Sequence, residues 1–318
     1  MRWLVVEDWR FTETPYSSRM EKRQLGKTDM HVSVLGFGGA EIGFEGAAEQ
    51  TVARLLKGAL DAGLNVIDTG ECYEGSEELI GKTVADRRAD YHLFTKCGHP
   101  RGIGSEDWSA ASLLESIERS LRRLRTDRLD LIQLHSCSEA VLRKGEVISA
   151  LQTAQSKGYA RYLGYSGDSH AARYAVESGA FDTLQTSINI ADQEAIDLVL
   201  PLARNKGIGV IAKRPIANAA WKESHKPISS YHHVYWERLR KLRYDFVHDL
   251  PMEDSVDHAL RFTLSVPGVH TAIVGTTKPE RWQENAKLAG KGRLSDTEYA
   301  AIRDRWEEIA PAGWVGQT

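Results

Sequence analysis

The chain has 318 residues, a formal net charge of -3 and an ordinary composition, with 42% hydrophobic and 27% charged residues. This balance excludes collagen-like and intrinsically disordered chains, and the apolar runs are too short to cross a bilayer. Because no extended basic block is present, we expect no nucleic-acid partner, and the short apolar runs predict no membrane partner. The odd number of cysteines, three, and the lack of a secretion signal predict a cytoplasmic protein, which we expect to be a monomer or small homo-oligomer.

Residues 1–19 differ from the rest of the chain. Their apolar stretch is short and is interrupted by Glu7 and Asp8, whereas a secretion signal needs a longer apolar core. The string MEKRQLGKT, which begins at Met20, has the character of a natural start. We therefore predict that residues 1–19 are a disordered leader or an over-extended start, and that residues 20–318 form a single domain.

Short apolar runs alternate with helical patterns along that domain. The runs are rich in Val, Ile and Leu, which indicates buried parallel strands, and Val52, Leu55 and Leu56 illustrate the helical spacing between them. Eight such units predict an α/β fold, a closed (β/α)8 TIM barrel with extra helices and long loops at its C-terminal face. The predicted strands are residues 32–37, 65–68, 92–96, 129–135, 162–166, 183–187, 209–215 and 271–276.

An open doubly wound sheet is the alternative architecture. Such sheets bind dinucleotides through a GxGxxG turn after the first strand, and GFGGAEIG at residues 36–43 has a different spacing. The closed barrel is therefore the favoured prediction. Ser295 is placed to cap an additional helix over residues 295–309, after the eighth unit.

Two segments after predicted strands, residues 100–108 and 216–249, are longer than ordinary connections. Barrel enzymes build their substrate loops at this end of the strands. The aromatic residues of the two segments are candidates for the wall of an entrance that suits an apolar or sugar-like substrate, or else for loop core. They are Trp108, Trp221, Tyr231 and Trp236.

Four polar side chains stand at or just after consecutive predicted strands. Asp68 and Tyr73 lie in DTGECY, Lys96 ends FTK and His135 ends LDLIQLH. Singly, each fits a turn, a cap or an ordinary ion pair, but a barrel brings such strand ends to one face. There burial should lower the pKa of Lys96, and the ammonium should lower the pKa of Tyr73 enough for general acid catalysis near neutral pH. Asp68 would neutralise Lys96, and His135 could donate to a carbonyl oxygen.

These strings resemble the aldo-keto reductase family over about residues 20–318. NVIDTGECYEGSEELIG is similar to its Asp–Tyr segment, and FTK and LDLIQLH to its lysine and histidine strands. LGYSG, LQTSIN and IVGTTKPERWQEN are similar to its cofactor-binding segments. The resemblance implies an NADP-dependent oxidoreductase that performs carbonyl reduction on an aldehyde or ketone, with Tyr73 as the proton donor. It implies that Lys96 and Asp68 tune Tyr73, and that His135 orients the carbonyl.

The resemblance also implies a set of cofactor contacts. Ser166 and Gln185 would bind the nicotinamide carboxamide, and Arg281 would bind the 2′-phosphate beside free backbone N–H groups at the start of a helix. Many members have asparagine at Gly167 and lysine at Gly275, so the choice between NADP(H) and NAD(H) stays open. The implied cofactor-binding residues are Gly39, Ala40, Ser166, Gln185, Arg214, Pro215, Ile216, Gly275, Thr276, Thr277, Arg281, Glu284 and Asn285. Lys213 or Arg214 stands where many members stack a tyrosine on the nicotinamide.

Cys72, Cys97 and Cys137 all lie close in sequence to the four polar residues, so we expect them at the mouth of the pocket. One hypothesis is that Lys96 favours a thiolate there and makes Cys72 or Cys97 redox-active. The alternative is that the cysteines have no redox role and are present only because small apolar side chains fit at these positions. We expect no metal site, because no CxxC pair is present.

Two other functions compete with carbonyl reduction. Some members of the family are cofactor-sensing regulatory barrels with little turnover, and this chain could be one of them. A strand-end lysine such as Lys96 is also used by Schiff-base enzymes of the aldolase type.

Overall fold

A computed structural model describes residues 20–102, 104–227 and 230–317, without the side chains of residues 230 and 231. The predicted leader, residues 1–19, and the side chain of the predicted loop residue Tyr231 lie outside the described residues. Over the described part of the chain, no helix is long and apolar enough to span a membrane.

The described strands are β1 Lys22–Gln24, β2 His31–Ser33, β3 Leu35–Gly38, β4 Val66–Asp68, β5 His92–Cys97, β6 Leu129–His135, β7 Ala160–Ser166, β8 Thr183–Ser187, β9 Gly209–Lys213 and β10 Thr271–Gly275. Strands β3 to β10 form a closed parallel barrel in chain order, and β10 pairs with β3 to close it. Strands β1 and β2 pair with each other as a separate antiparallel hairpin. The predicted closed (β/α)8 barrel is confirmed, and the open sheet is excluded.

Helices connect successive barrel strands, because parallel neighbours need a crossover. The α-helices are α1 Ala40–Phe44, α2 Glu49–Asp61, α3 Ser76–Val84, α4 Ala110–Leu124, α5 Glu139–Lys144, α6 Glu146–Ser156, α7 Ser169–Ser178, α8 Glu194–Leu198, α9 Leu200–Lys206, α10 Ser230–Leu242, α11 Asp245–His248, α12 Met252–Ser265, α13 Pro279–Gly290 and α14 Asp296–Ile309. Two 3-10 helices span Ala85–Asp90 and Ala217–Lys222. The extra helix predicted over 295–309 is confirmed as α14, and Ser295 and Glu298 form a reciprocal capping box at its start.

Side chains of the barrel strands alternate between two apolar cores. In β6, Leu131 faces the barrel interior, whereas Ile132 faces the surrounding helices. This alternation follows from the period of two in a strand. The interior core also contains three residues of the β1–β2 hairpin and its turn, which close the N-terminal end of the barrel. Its members are Leu25, Met30, Val32, Val66, Phe94, Leu131, Ile211 and Ile273.

The predicted first strand, residues 32–37, is wrong as a single element. The chain leaves the hairpin at Ser33 and enters the barrel at Leu35. At the break, the Ser33 amide donates to Asn65 Oδ1 at 2.6 Å, and the Val34 amide donates to the Glu21 carbonyl at 2.9 Å. These bonds satisfy backbone groups that would otherwise continue a strand, so one apolar run serves both the hairpin and the barrel.

We expect Leu131→Ala to destabilise the protein by about 2–5 kcal/mol, because it opens a cavity in the close-packed barrel interior. The free energy of unfolding, measured by urea denaturation, checks this expectation. Leu250→Ala is the matched control, since Leu250 is 43% exposed and Leu131 is fully buried. Equal effects of the two substitutions would contradict the assignment of Leu131 to the interior core.

Candidate active site

The polar residues of the site continue the inward-facing rows of the barrel strands. In β5, Phe94 faces the interior, and Lys96 follows it by two residues. In β6, Leu131 faces the interior, and Gln133 and His135 follow at the same spacing. Since side chains two apart in a strand share a face, the C-terminal ends of these strands present a polar layer above the apolar interior core.

A buried ion pair joins Asp68 and Lys96, and each residue is only 1% exposed. The Lys96 ammonium also donates to the Thr69 carbonyl at 2.8 Å. The second oxygen of Asp68 accepts hydrogen bonds from Gln133 Nε2 at 3.0 Å and from Gln185 Nε2 at 2.8 Å. The carboxylate is thus satisfied by donors from three strands, as a buried charge requires.

Two predictions about pKa values are wrong in direction. Burial tends to lower the pKa of Lys96, but the neighbouring Asp68 and Tyr73 outweigh it and hold that pKa above its usual value. For Tyr73 burial dominates and raises the pKa to about 12, although the Lys96 ammonium, 5.0 Å from the ring centroid, acts to lower it. The ammonium therefore stays charged and the phenol stays protonated at neutral pH.

His135 lies against two other side chains of the site. Its Nδ1 is 3.3 Å from Cys72 Sγ, and its backbone carbonyl accepts a hydrogen bond from His99 Nε2 at 2.8 Å. Burial, followed by the positive charge of Lys96, lowers the pKa of His135 well below its usual value. The imidazole is therefore neutral. A protonated Cys72 thiol can donate to Nδ1, which leaves the Nε2 proton as the donor of the ring.

Glu71, which the sequence did not single out, orders the segment after β5. One carboxylate oxygen accepts the amides of Gly98 and His99 at 2.8 and 2.9 Å. The other accepts from Arg119 at 3.0 Å. Gly98 has a φ of 119°, and a Cβ there would overlap the Trp108 ring, so glycine is required at this position. Trp108 consequently packs edge-on against His99, with ring centroids 5.8 Å apart.

A cavity of about 650 Å³ opens at the C-terminal face of the barrel. Asp68, Tyr73 and His135 line one end of it, and the rings of Tyr73 and His135 meet edge-on with centroids 5.7 Å apart. Most predicted cofactor residues line the same cavity, namely Gly39, Ala40, Gln185, Arg214, Pro215, Ile216, Gly275, Thr276, Thr277, Arg281 and Asn285. Ser166 and Glu284 do not line the cavity. The buried Ser166 donates to Gln185 Oε1 at 3.2 Å, and the exposed Glu284 pairs with Arg281 at 2.8 Å.

The opposite end of the cavity combines positive charge with an unsatisfied amide. Lys222, Lys278 and Arg281 all line it. Burial lowers the pKa of Lys222, and the charges of Arg281 and Lys278 lower it further, so the three cations repel one another. Asn285 is 1% exposed, and neither of its amide atoms finds a hydrogen-bond partner in the described part of the chain. An anion and a polar ring system are the ligands that would satisfy these groups.

Of the two residues predicted to replace a stacking tyrosine, Lys213 is already engaged. Its ammonium pairs with the buried Asp168 at 2.8 Å. Arg214 lines the cavity but donates to Ser187 Oγ at 3.1 Å and to the Gln317 carbonyl. The C-terminal segment thereby helps to hold the cavity wall.

The predicted aromatic entrance is only partly assembled. Trp108 adjoins His99 and hence His135. Trp221 packs against the outer core, Trp236 donates to the Glu223 carbonyl at 2.9 Å, and neither lines the cavity. His232 of the same long segment does line it. Trp221 and Trp236 therefore agree with the loop-core alternative.

The cysteines are free and buried. Burial raises the pKa of Cys72 to about 12, against the lowering effect of Lys96, and it raises the pKa of Cys137 to about 12. It also raises the pKa of Cys97 well above its usual value. The hypothesis that Lys96 favours a thiolate at Cys72 or Cys97 is therefore wrong, and Cys72 serves His135 as a thiol.

We expect the His135 imidazole to stay neutral between about pH 6 and 8, with its proton on Nε2, because burial disfavours the imidazolium and Cys72 donates to Nδ1. ¹⁵N chemical shifts of the ring in the wild type, Cys72→Ser and Cys72→Ala measure both properties. Serine should preserve the tautomer, and alanine should allow a mixture. A proton on Nδ1 in the wild type would contradict this assignment.

Comparisons with known proteins agree with this geometry. The model of the Aldo/keto reductase family matches residues 34–307. The uncharacterized oxidoreductase YqkF of Bacillus subtilis is 28% identical over 91% of this chain and 97% of its own. The holo form of aldo-keto reductase AKR11C1 from Bacillus halodurans is 29% identical, covers 90% of this chain and 96% of its own, and has a TM-score of 0.77. An aldo-keto reductase from Klebsiella pneumoniae in complex with NADPH shares the fold at 23% identity, with a TM-score of 0.74 over 94% of this chain and 99% of its own. The family match spans most of the sequence and all of the barrel strands, and this chain therefore belongs to the aldo/keto reductase family.

Proposed function

We propose that this chain is an NADP(H)-dependent oxidoreductase that reduces an aldehyde or ketone to an alcohol. The observation that carries the proposal is a single cavity with two chemically different ends. At one end a protonated phenol, Tyr73, meets a neutral imidazole, His135. At the other end Arg281 and two lysines surround space suited to phosphate.

The residues of the cavity fit a phosphorylated dinucleotide. Arg281, Lys278 and Lys222 would hold the 2′-phosphate, and the unpartnered amide of Asn285 would bind the adenine. Gln185, supported by Ser166, would hold the nicotinamide carboxamide beside Asp68. The bound dinucleotide would supply the hydride for the reduction. The Klebsiella relative in complex with NADPH supports the same choice of cofactor.

The residues of the catalytic end account for the proton and for the position of the carbonyl. His135 would donate its Nε2 proton as a hydrogen bond to the carbonyl oxygen and orient it. Tyr73 would give its phenolic proton to that oxygen as the hydride reaches the carbon, so that the product is a neutral alcohol. The Lys96 ammonium would stabilise the phenolate left behind, and Asp68 would keep that ammonium in place.

The state of Lys96 supports a reductase over a Schiff-base enzyme. A Schiff-base lysine must attack a carbonyl as a neutral amine. Here Asp68 and Tyr73 hold the pKa of Lys96 above its usual value despite burial, and the ammonium is committed to Asp68 and the Thr69 carbonyl. The cofactor-sensing alternative uses the same cavity and differs from a reductase only in turnover.

The mouth of the cavity supports a small carbonyl compound with an apolar part as substrate. Phe44 is 47% exposed and meets Tyr73 edge-on, with ring centroids 5.6 Å apart. Trp108 packs against His99, which in turn meets His135. An apolar group could pack against Phe44 while the carbonyl reaches Tyr73 and His135.

We expect Tyr73→Phe to lower NADPH oxidation with 4-nitrobenzaldehyde by about a hundredfold or more, because the substitution removes the general acid and keeps the ring. NADPH affinity, measured by fluorescence titration, should be nearly unchanged and serves as the control. A variant that retains its rate would rule out Tyr73 as the acid. Tight NADPH binding by a wild type without turnover on any carbonyl would favour the sensor.

We expect Arg281→Met to weaken NADPH binding by about tenfold and to change NADH binding little, because only NADPH carries the phosphate that a guanidinium fork recognises. Arg54→Met is the matched control. Arg54 belongs to α2, is exposed, and lies 4.0 Å from Glu280, the neighbour of Arg281 in α13. Dissociation constants from titration calorimetry check both variants. If Arg281→Met weakened the binding of NADPH and NADH equally, Arg281 would contact a part that the two cofactors share, not the 2′-phosphate.

A further inference from the structure

A carboxylate lies inside the cavity, in a position that the catalytic mechanism does not use. Glu41 is the second residue of α1, just beyond the end of β3. Strand β3 pairs with β10 so that Gly38 is opposite Gly275. The Glu41 side chain leans across this pair, and a Cβ built on Gly275 would overlap its carboxylate. Gly275 is thus the position that makes room for the carboxylate.

Glu41 lines the cavity, and its surroundings connect it to both groups of charged and polar lining residues. On one side, Gly39, two residues earlier, donates its amide to the Asp68 carbonyl at 2.7 Å, which ties this segment to the catalytic end. On the other side, Gly275 is followed directly by Thr276, which begins the segment leading to Arg281. The part of a dinucleotide that joins the nicotinamide nucleoside to the adenosine is the diphosphate. With the nucleosides held as proposed above, this bridge passes Glu41.

The surroundings of Glu41 make a negative charge costly. Burial raises the pKa of the carboxyl, and Glu45, which directly follows α1, raises it further, whereas a backbone hydrogen bond and the charge of Arg214 only partly offset them. Arg214 lines the cavity too, and its Nη1 donates to Ser187 Oγ and to the Gln317 carbonyl. Lys278 and Arg281 line the cavity farther along. A second anion entering beside Glu41 would therefore meet a like charge in a partly buried site, where repulsion is strong.

We propose that Glu41 is a negative determinant of cofactor affinity, whose carboxylate opposes the diphosphate of the entering dinucleotide and must be displaced or neutralised for binding. This inference rests on the proposed function, since it requires a dinucleotide in the cavity. It assigns to Glu41 a role in how tightly the cofactor is held, not in the choice between NADPH and NADH. Both cofactors contain the diphosphate, so repulsion from the Glu41 carboxylate should weaken the binding of both.

The test compares wild type, Glu41→Gln and Glu49→Gln by titration calorimetry with NADP⁺ and with NAD⁺. Glutamine keeps the shape of glutamate and removes its charge. We expect Glu41→Gln to tighten the binding of both dinucleotides by at least about fivefold, equivalent to ~1 kcal/mol, and by similar factors. Glu49→Gln is the matched control, because Glu49 is a nearby glutamate at the start of α2 that does not line the cavity. Its carboxylate is exposed and pairs with Lys82 at 3.8 Å, so its loss should change affinity less than about twofold.

Other outcomes overturn the inference in distinguishable ways. Unchanged or weaker binding in Glu41→Gln would show that the carboxylate has no effect on cofactor binding or favours it, for example by accepting a hydrogen bond from a ribose hydroxyl. If Glu41→Gln bound NADP⁺ more tightly but NAD⁺ no more tightly, Glu41 would lie against the 2′-phosphate instead of the diphosphate. If neither the wild type nor any variant bound either dinucleotide, the proposed function would be overturned as well. The other outcomes leave the proposed function intact. Thermal unfolding of each variant confirms that the fold is retained.

Discussion

The ion pair between Asp68 and Lys96 is the interaction on which the site depends. Two charges taken out of water are tolerated only when their geometry and remaining hydrogen bonds are satisfied, and removing one partner of such a pair typically costs about 3–5 kcal/mol. Here the Asp68 carboxylate is completed by the amides of Gln133 and Gln185, and the Lys96 ammonium by the Thr69 carbonyl. The need to satisfy one buried carboxylate therefore fixes β4, β5, β6 and β8 relative to one another at the level of the site.

The same pair determines the charges of its neighbours. Because Asp68 compensates Lys96, the cation persists beside the phenol of Tyr73 and the imidazole of His135, both of which burial keeps neutral. The site thus holds a protonated phenol and a neutral imidazole next to a positive charge. This arrangement suits a reaction in which negative charge develops on an oxygen, and it requires no change of protonation before the substrate binds.

Much of this was predictable because the strands are short, apolar and regularly spaced. The barrel, the helix capped by Ser295, and the convergence of Asp68, Tyr73, Lys96 and His135 follow from strand–helix alternation and from strand ends sharing one face. Gln133 could have been found too, since it lies two residues before His135 and hence on the same side of β6. The directions in which the pKa values of Lys96 and Tyr73 shift could not be predicted from the sequence. Each shift is a balance between burial and neighbouring charges, and only the packed site defines that balance. The split of the run 32–37 depended on a distant residue, Asn65, which local sequence does not reveal.

The β1–β2 hairpin gives the barrel a consequence beyond stability. Leu25, Met30 and Val32 fill its N-terminal end, and the apolar interior above them contains Phe94 and Leu131. This apolar layer lies at one end of the barrel, whereas Tyr73 and His135 line the cavity at the other. In a reductase, each turnover would remove one proton from Tyr73. A replacement taken from the cavity would use the face through which substrate and cofactor enter, so proton resupply and ligand exchange would compete for one opening.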